Sequence, residues 1–281
     1  AMQASINKAS FNGRTQVTCY SCHRGSERPV AVPPALDKDA PASTESKATP
    51  TAPTTTGAAP TADDIIAKYV AAVGGADAMK KIIDRVERGK ILVGDSKTPI
   101  EVFTKAPNKR VSITHNGDSD SYTAFDGAIG WLGSTGRAAH EMSAAEAGAA
   151  SLDAEFYLPL RIKEIFPQLR RGRPETIDGV ECEVLNGSGP GRPATRLYFD
   201  KKTGLLTRMV RYAETPLGRI PTQIDYADYR DADGVKIPYR WTLARVNGRF
   251  TIQIENVKSN LGIVDAKFAE PVGPVKDSRT Q

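Results

Sequence analysis

Cys19-Tyr20-Ser21-Cys22-His23 places two thiols and an imidazole side by side in the chain. Cys-x-x-Cys-His is the spacing at which two cysteines form thioethers with haem vinyl groups while the adjacent histidine takes the iron. A zinc site would need a second pair of ligands. The other candidates, Cys182, His115 and His140, are scattered through a strand-patterned region. A redox dithiol belongs beside a βαβ unit, whereas this motif lies in a short module followed by a Pro-rich stretch. A Cys19–Cys22 disulfide would close a very small loop and stabilise little. The residues favour haem, with Cys19 and Cys22 as anchors and His23 as proximal ligand; the rival readings stay open on the motif alone.

A haem that only carries electrons usually takes a second axial ligand, and Met2 meets that need. Met2, Ile6 and Ala9 share one face of a helix in "MQASINKASF", a face that could lie over a haem. The plainer role for Met2 is core packing on an amphipathic helix. His115, beside the Asn116-Gly117 turn, and His140 fit surface or turn positions. The whole stretch "MQASINKASFNGRTQVTCYSCHRGSERP" resembles the C-terminal part of the photosynthetic reaction-centre cytochrome c subunit family. There a helix bearing a methionine ligand leads through a loop into Cys-x-x-Cys-His. The resemblance covers about residues 1–30 and implies one haem c, held by Cys19, Cys22, His23 and Met2. The family's further upstream haem sites are absent from this sequence.

The elements that must carry these groups fall into three regions. Residues 1–30 are the short Cys-x-x-Cys-His module just described. Residues 31–60 are rich in Pro, Ala, Thr and Ser with almost no large apolar side chain, so they cannot bury enough surface to offset their ordering entropy and are expected to be a flexible linker. Residues 61–272 form the main domain, and 273–281 a polar tail. With 281 residues, 40% hydrophobic and 25% charged, one or two globular domains with an ordinary core are expected. The net charge of +5 divides as +2 in residues 1–60 (six basic, four acidic) and +3 in the remainder (32 and 29). So thin an excess, with one short cluster in "QLRRGRP", argues against nucleic-acid binding. No apolar run approaches the roughly 18–20 residues of a membrane span. The opening "AMQASINKASF" has no signal-peptide pattern and has the look of a helix interior, as at a processed or truncated start.

In the main domain, "TADDIIAKYVAAVGG" has a Thr61 cap, Asp63 and Asp64 at the positive end of the dipole, an apolar stripe at helical spacing, and Gly74-Gly75 as a stop. A short helix over "ADAMKKIID" follows, and helical character returns in 143–166. Elsewhere the period is two, from "RGKILVGD" to "RFTIQIENVKSN", punctuated by Asn116-Gly117, Asp126-Gly127, Asp200–Gly204 and Asp231–Gly234. Consecutive strands with short turns imply an antiparallel meander, curved or partly closed, with helices against a face. Cys182 is expected to be a buried strand residue. "GSGPGRP" (187–193) is expected to be a loop.

The N-terminal helix, "FDGAIGWL", "LYFDKKTGLLTRM" and "YADYRDADGVKIPYRW" resemble the outer-membrane lipoprotein-carrier (LolA/LolB-like) superfamily. That resemblance implies a half-barrel with helices plugging a hydrophobic cavity for lipid or lipoprotein acyl chains. Phe103, Phe125, Trp131, Tyr198, Phe199, Tyr239 and Trp241 are then either ordinary packing or cavity lining. Arg or Lys at the mouth could meet anionic headgroups, but the sequence selects none. No Gly-x-Ser-x-Gly, His-Glu-x-x-His or phosphate loop occurs, so a non-enzyme is expected.

The combined expectation is a mainly β protein with helices: a small haem-binding helix-loop module plus a curved antiparallel half-barrel with plugging helices. It would be an extracytoplasmic c-type cytochrome, in the periplasm or at the cell surface, transferring electrons to redox partners or neighbouring haem subunits. The alternatives are a lipid or lipoprotein carrier with an accessory haem segment, or a scaffold assembling haems into a homo-oligomeric array.

Overall fold

The computed structural model describes residues 2–11, 59–215, 218–246 and 248–271. The chain divides into two units, Ala1–Pro53 and Thr54–Gln281. In the first, the described residues are helix α1 (Met2–Phe11), in keeping with the helical reading of that segment. Cys19, Cys22 and His23 lie outside the described residues, as do linker residues 31–58 and the 273–281 tail.

The second unit opens with α2 (Ala62–Ala72) and α3 (Ala76–Lys80). Six strands follow: β1 (Asp84–Val93), β2 (Ser96–Lys105), β3 (Lys109–Asn116), β4 (Ser119–Phe125), β5 (Gly130–Ser134) and β6 (Arg137–Glu141). Two helices, α4 (Ala144–Asp153) and α5 (Leu158–Ile165), precede the second set of strands. These are β7 (Gln168–Arg171), β8 (Glu175–Ile177), β9 (Val180–Gly189), β10 (Arg192–Asp200), β11 (Leu206–Thr215), β12 (Gly218–Ala232), β13 (Val235–Arg245) and β14 (Gly248–Ser259). A 3-10 turn, Asp265–Phe268, ends the described chain.

Local chemistry fixes the helix starts. Thr61 Oγ1 accepts the Asp64 N–H at 3.2 Å, and Asp64 Oδ2 accepts the Thr61 N–H at 2.8 Å. This reciprocal box satisfies two otherwise orphaned donors. Ser143 and Glu146 repeat it at α4.

All strands join one antiparallel sheet in the order β6-β5-β4-β3-β2-β1-β14-β13-β12-β11-β10-β9-β7, with β8 on β9. Two meanders, β1–β6 and β7–β14, are therefore sewn together by the β1–β14 pair. The register slips between Arg88 and Gly89 in that pair, and such bulges bend a strand. Gly89 is required there, since a Cβ would lie 2.0 Å from the Gln253 carbonyl oxygen.

The resulting sheet is large, curved and open. Its concave side holds the main core, where Ile65 and Tyr69 of α2, Leu152 of α4, and Ile162 and Ile165 of α5 pack with strand residues such as Val102, Leu197, Met209 and Ile254. The opposite face of β3 and β4 presents Val111, Ile113 and Ala124, covered by Phe268. Asp84, fully buried, holds that cover in place. Its carboxylate accepts the N–H groups of Leu261, Gly262 and Ile263 at 2.7, 3.0 and 3.1 Å.

The strand, turn and helix expectations are met in outline, with two differences. The helical stretch 143–166 is two helices broken at 154–157. "GSGPGRP" is not a free loop: Gly187–Gly189 end β9 and Arg192-Pro193 begin β10. Its glycines serve packing, because a Cβ on Gly187 would fall 2.6 Å from the Phe166 ring. Glycine in a strand lets the end of α5 approach the sheet closely.

Candidate functional site

The helices do not fill the concave side. Between α4 and the sheet lies a cavity of about 350 Å³, with apolar walls that include Ile91, Ile100, Met209, Ile224, Leu243 and Ile252. These residues come from β1, β2 and β11–β14, so both meanders build it. The walls also include Tyr226, Trp241 and Phe250. Trp241 Nε1 donates to the Pro238 carbonyl at 3.1 Å, which leaves its ring as an apolar surface. Burial, reinforced by the nearby Asp153 carboxylate, raises the Tyr226 phenol far above its ordinary pKa, so it stays neutral.

A second lobe of about 370 Å³ adjoins the first, lined among others by Phe125, Met142, Ala149 and Arg211. The lobes share Arg110, Thr123, Asp153 and Arg245 as a common wall. A smaller space of about 160 Å³ lies on the other side of Leu158 and Tyr226. Each volume except the smallest falls in the range of about 300–1,000 Å³ of small-molecule sites.

Ion pairs hold α4 and α5 over this cavity. Arg211 of β11 is buried and donates to Asp153 at 2.5 Å and to the Ala149 carbonyl at 3.2 Å. Burial works against its charge, but the Asp153 carboxylate outweighs that and leaves its pKa above the ordinary arginine value. The Glu155 carboxylate, with no exposed surface, accepts from Arg161 of α5 and Arg192 of β10, both at 2.6 Å. Arg192 also donates to Ser151 Oγ at 2.8 Å. Glu146 is committed to the α4 cap, where its bonds with Ser143 hold its carboxyl below the usual range.

The sequence-based candidates fare unevenly. Met2 is the first residue of α1, and the thiols and imidazole of the haem motif fall outside the described residues. Of the seven aromatic residues, Phe125 and Trp241 line the cavity. Phe103 and Trp131 pack on the far side with Phe268, Tyr198 packs with Cys182 and Val184, and Phe199 and Tyr239 belong to the main core. Cys182 is buried in β9, as its pattern implied. His115 is a strand residue with Nδ1 2.8 Å from Asp120, and His140 is exposed on β6. Among the described residues no group of three His, Cys, Asp or Glu could hold a metal ion, and no helix is long and apolar enough to cross a membrane.

Sequence reasoning missed Arg110, Arg211 and Arg245. The signal was the alternation Trp241-x-Leu243-x-Arg245, which puts a charge on the same face as two apolar side chains.

No family model and no curated protein sequence matches the chain. A solved LolA superfamily protein from Nitrosomonas europaea matches with a TM-score of 0.51 and 14% identity, over 75% of this chain and 99% of its own. A DUF1329 family protein from Desulfovibrio piger matches with a TM-score of 0.50 and 15% identity, over 74% of this chain and 96% of its own. The likeness is one of fold: the strand domain shares the architecture of these two structures. Neither match speaks for the reaction-centre cytochrome resemblance of residues 1–30.

Replacing Glu155 by alanine leaves Arg192 without its anion and Arg161 with only the exposed Glu164 carboxylate. Arg161 and Arg192 keep 27% and 18% of their side-chain exposure, so the loss is expected at the low end of the range for a broken buried pair, about 2–3 kcal/mol. Urea unfolding of Glu155→Ala should show it as a lower midpoint at unchanged slope.

Proposed function

We propose that the half-barrel binds the acyl part of a lipid or lipoprotein in an extracytoplasmic compartment. The observation that carries this reading is the two-lobed cavity on the concave face, more apolar than polar in both lobes and bordered by arginine where they meet. An apolar chain entering it exchanges water for side chains at about 0.8 kcal/mol per methylene, or roughly fourfold in affinity. The likeness in fold to a LolA superfamily protein supports this use, and the ion pairs of Glu155 and Asp153 brace the helices against the sheet around the cavity.

The second element of the proposal is a c-type haem on residues 1–30. It rests on the donor set Cys19, Cys22 and His23 in attachment order, with Met2 on α1 as the sixth ligand. The group would supply one-electron transfer; the cysteines would fix it covalently, and the histidine and methionine would set its potential. With covalent haem of this kind and acyl carriage, the protein would work outside the cytoplasm. Redox partners or neighbouring haem subunits would then meet the N-terminal unit, and lipid the half-barrel.

Two measurements test the two elements separately. Titration of the full chain with linear alkanols should show affinity rising roughly fourfold per methylene and levelling off once the cavity is full; no rise with length would overturn the acyl reading. A pyridine haemochrome spectrum should report one thioether-bonded haem per chain, lost in Cys22→Ser. Protein matured in a haem-attaching host that carries no haem would overturn the second element.

A further inference from the structure

The lining of the cavity is unbalanced in a specific way. Three carboxylates line the two lobes among the described residues: Glu146, Asp153 and Glu155. Each is already engaged, Asp153 by Arg211, Glu155 by Arg161 and Arg192, and Glu146 by the Ser143 cap. The side chains of Arg110 and Arg245, which line both lobes, make no hydrogen bond or ion pair with another described residue. Arg110 is half-buried, with its guanidinium 5.9 Å from the centre of the Trp241 ring. It acts on the buried Glu87 carboxyl electrostatically but does not close to an ion pair with it. Arg245 is exposed, two residues beyond Leu243 on the same face of β13.

A guanidinium with no carboxylate in hydrogen-bonding reach keeps its donors available for a ligand. Its planar fork of donors matches a carboxylate or a phosphate monoester. Half-buried Arg110 and exposed Arg245 stand where the two lobes meet, as an amphiphile's headgroup would if its chain lay along Ile224, Leu243 and Ile252. We propose that Arg110 and Arg245 form an anion clamp, and that the ligand is an acyl amphiphile with an anionic headgroup. The inference rests on the acyl reading above and narrows it to one headgroup chemistry. It also selects the cationic residues at the cavity mouth that composition left unspecified.

The test compares dodecanoate, dodecyl phosphate, dodecanol and dodecyltrimethylammonium on the full chain by calorimetric titration below their micelle concentrations. Both anions should bind at least about tenfold more tightly than dodecanol, and the cation more weakly than dodecanol. Arg110→Met and Arg245→Met should each reduce the ratio of anion to dodecanol affinity, with circular dichroism and an unchanged urea midpoint showing that the variants are folded. Acetate and inorganic phosphate, added alone, should not bind measurably; their binding as tightly as the amphiphiles would overturn the amphiphile assignment in favour of a free-anion site. Equal affinity for dodecanoate and dodecanol would overturn the clamp and leave the acyl cavity standing. A preference that survives in the double variant would overturn its assignment to these arginines. Failure of all four amphiphiles to bind would overturn the acyl reading itself.

Discussion

Glu155 sits in the break between α4 and α5 with its carboxylate wholly withdrawn from solvent. One oxygen takes Arg161, six residues along the chain, and the other takes Arg192 on β10. A buried carboxylate is costly unless its lone pairs are met by good donors, and two charge-assisted bonds at 2.6 Å meet that demand. The consequence is positional. The pair ties the helical layer to one meander of the sheet, and Arg211–Asp153 ties it again one strand further on. With α4 fixed at that height, the concave face cannot collapse onto it, and the space above Ile224, Leu243 and Ile252 stays open. The cavity is thus a product of ionic spacing and sheet curvature together, since apolar walls left to themselves would close.

The same logic divides the polar groups of the concave side by task. Arg211, Arg161 and Arg192 are balanced by Asp153, Glu155 and Glu164 and serve the architecture. Arg110 and Arg245 do not take part in that network, although they border the same space. Tyr226 lies between the two sets, neutral because of its burial, and offers a hydroxyl without a charge. A cavity whose buried carboxylates are paired with arginines, and whose two unpaired guanidinium groups stand together where its lobes meet, is electrostatically asymmetric at that junction. The asymmetry is local, because the chain as a whole carries only +5.

Much of this fold was legible in the sequence because it depends on short-range chemistry. Thr61 with Asp64, and Gly74-Gly75 after the apolar stripe, mark the ends of α2; Asp200–Gly204 and Asp231–Gly234 mark hairpins; alternation marks strands. Cys182 was recognisable from its neighbours. What the sequence withheld depends on register. Gly187 looked like loop glycine because the reason for it, the Phe166 ring, lies on another element. Arg110 and Arg245 stand 135 positions apart, and only the pairing of β1 with β14 brings their strands to one cavity. Alternation could place Arg245 with Leu243 and Trp241, yet it could not say whether that face was the concave one. For the same reason a list of strand aromatics was a poor guide to the lining: Phe103 and Trp131 occupy the opposite face from Trp241. The Cys-x-x-Cys-His motif is the opposite case, a local pattern whose chemistry needs no sheet to be recognised.

The central claim is that the concave cavity is where an apolar chain resides. Methyl-resolved NMR of the full chain during titration with dodecanol tests it most directly. Signals from Ile91, Ile100, Ile224, Leu243 and Ile252 should shift together and saturate at one equivalent, while those of Val93 and Val264, exposed elsewhere, stay in place. Shifts confined to Val111, Ile113 and Ile263 on the far side of the sheet, or none at saturating alkanol, would contradict it.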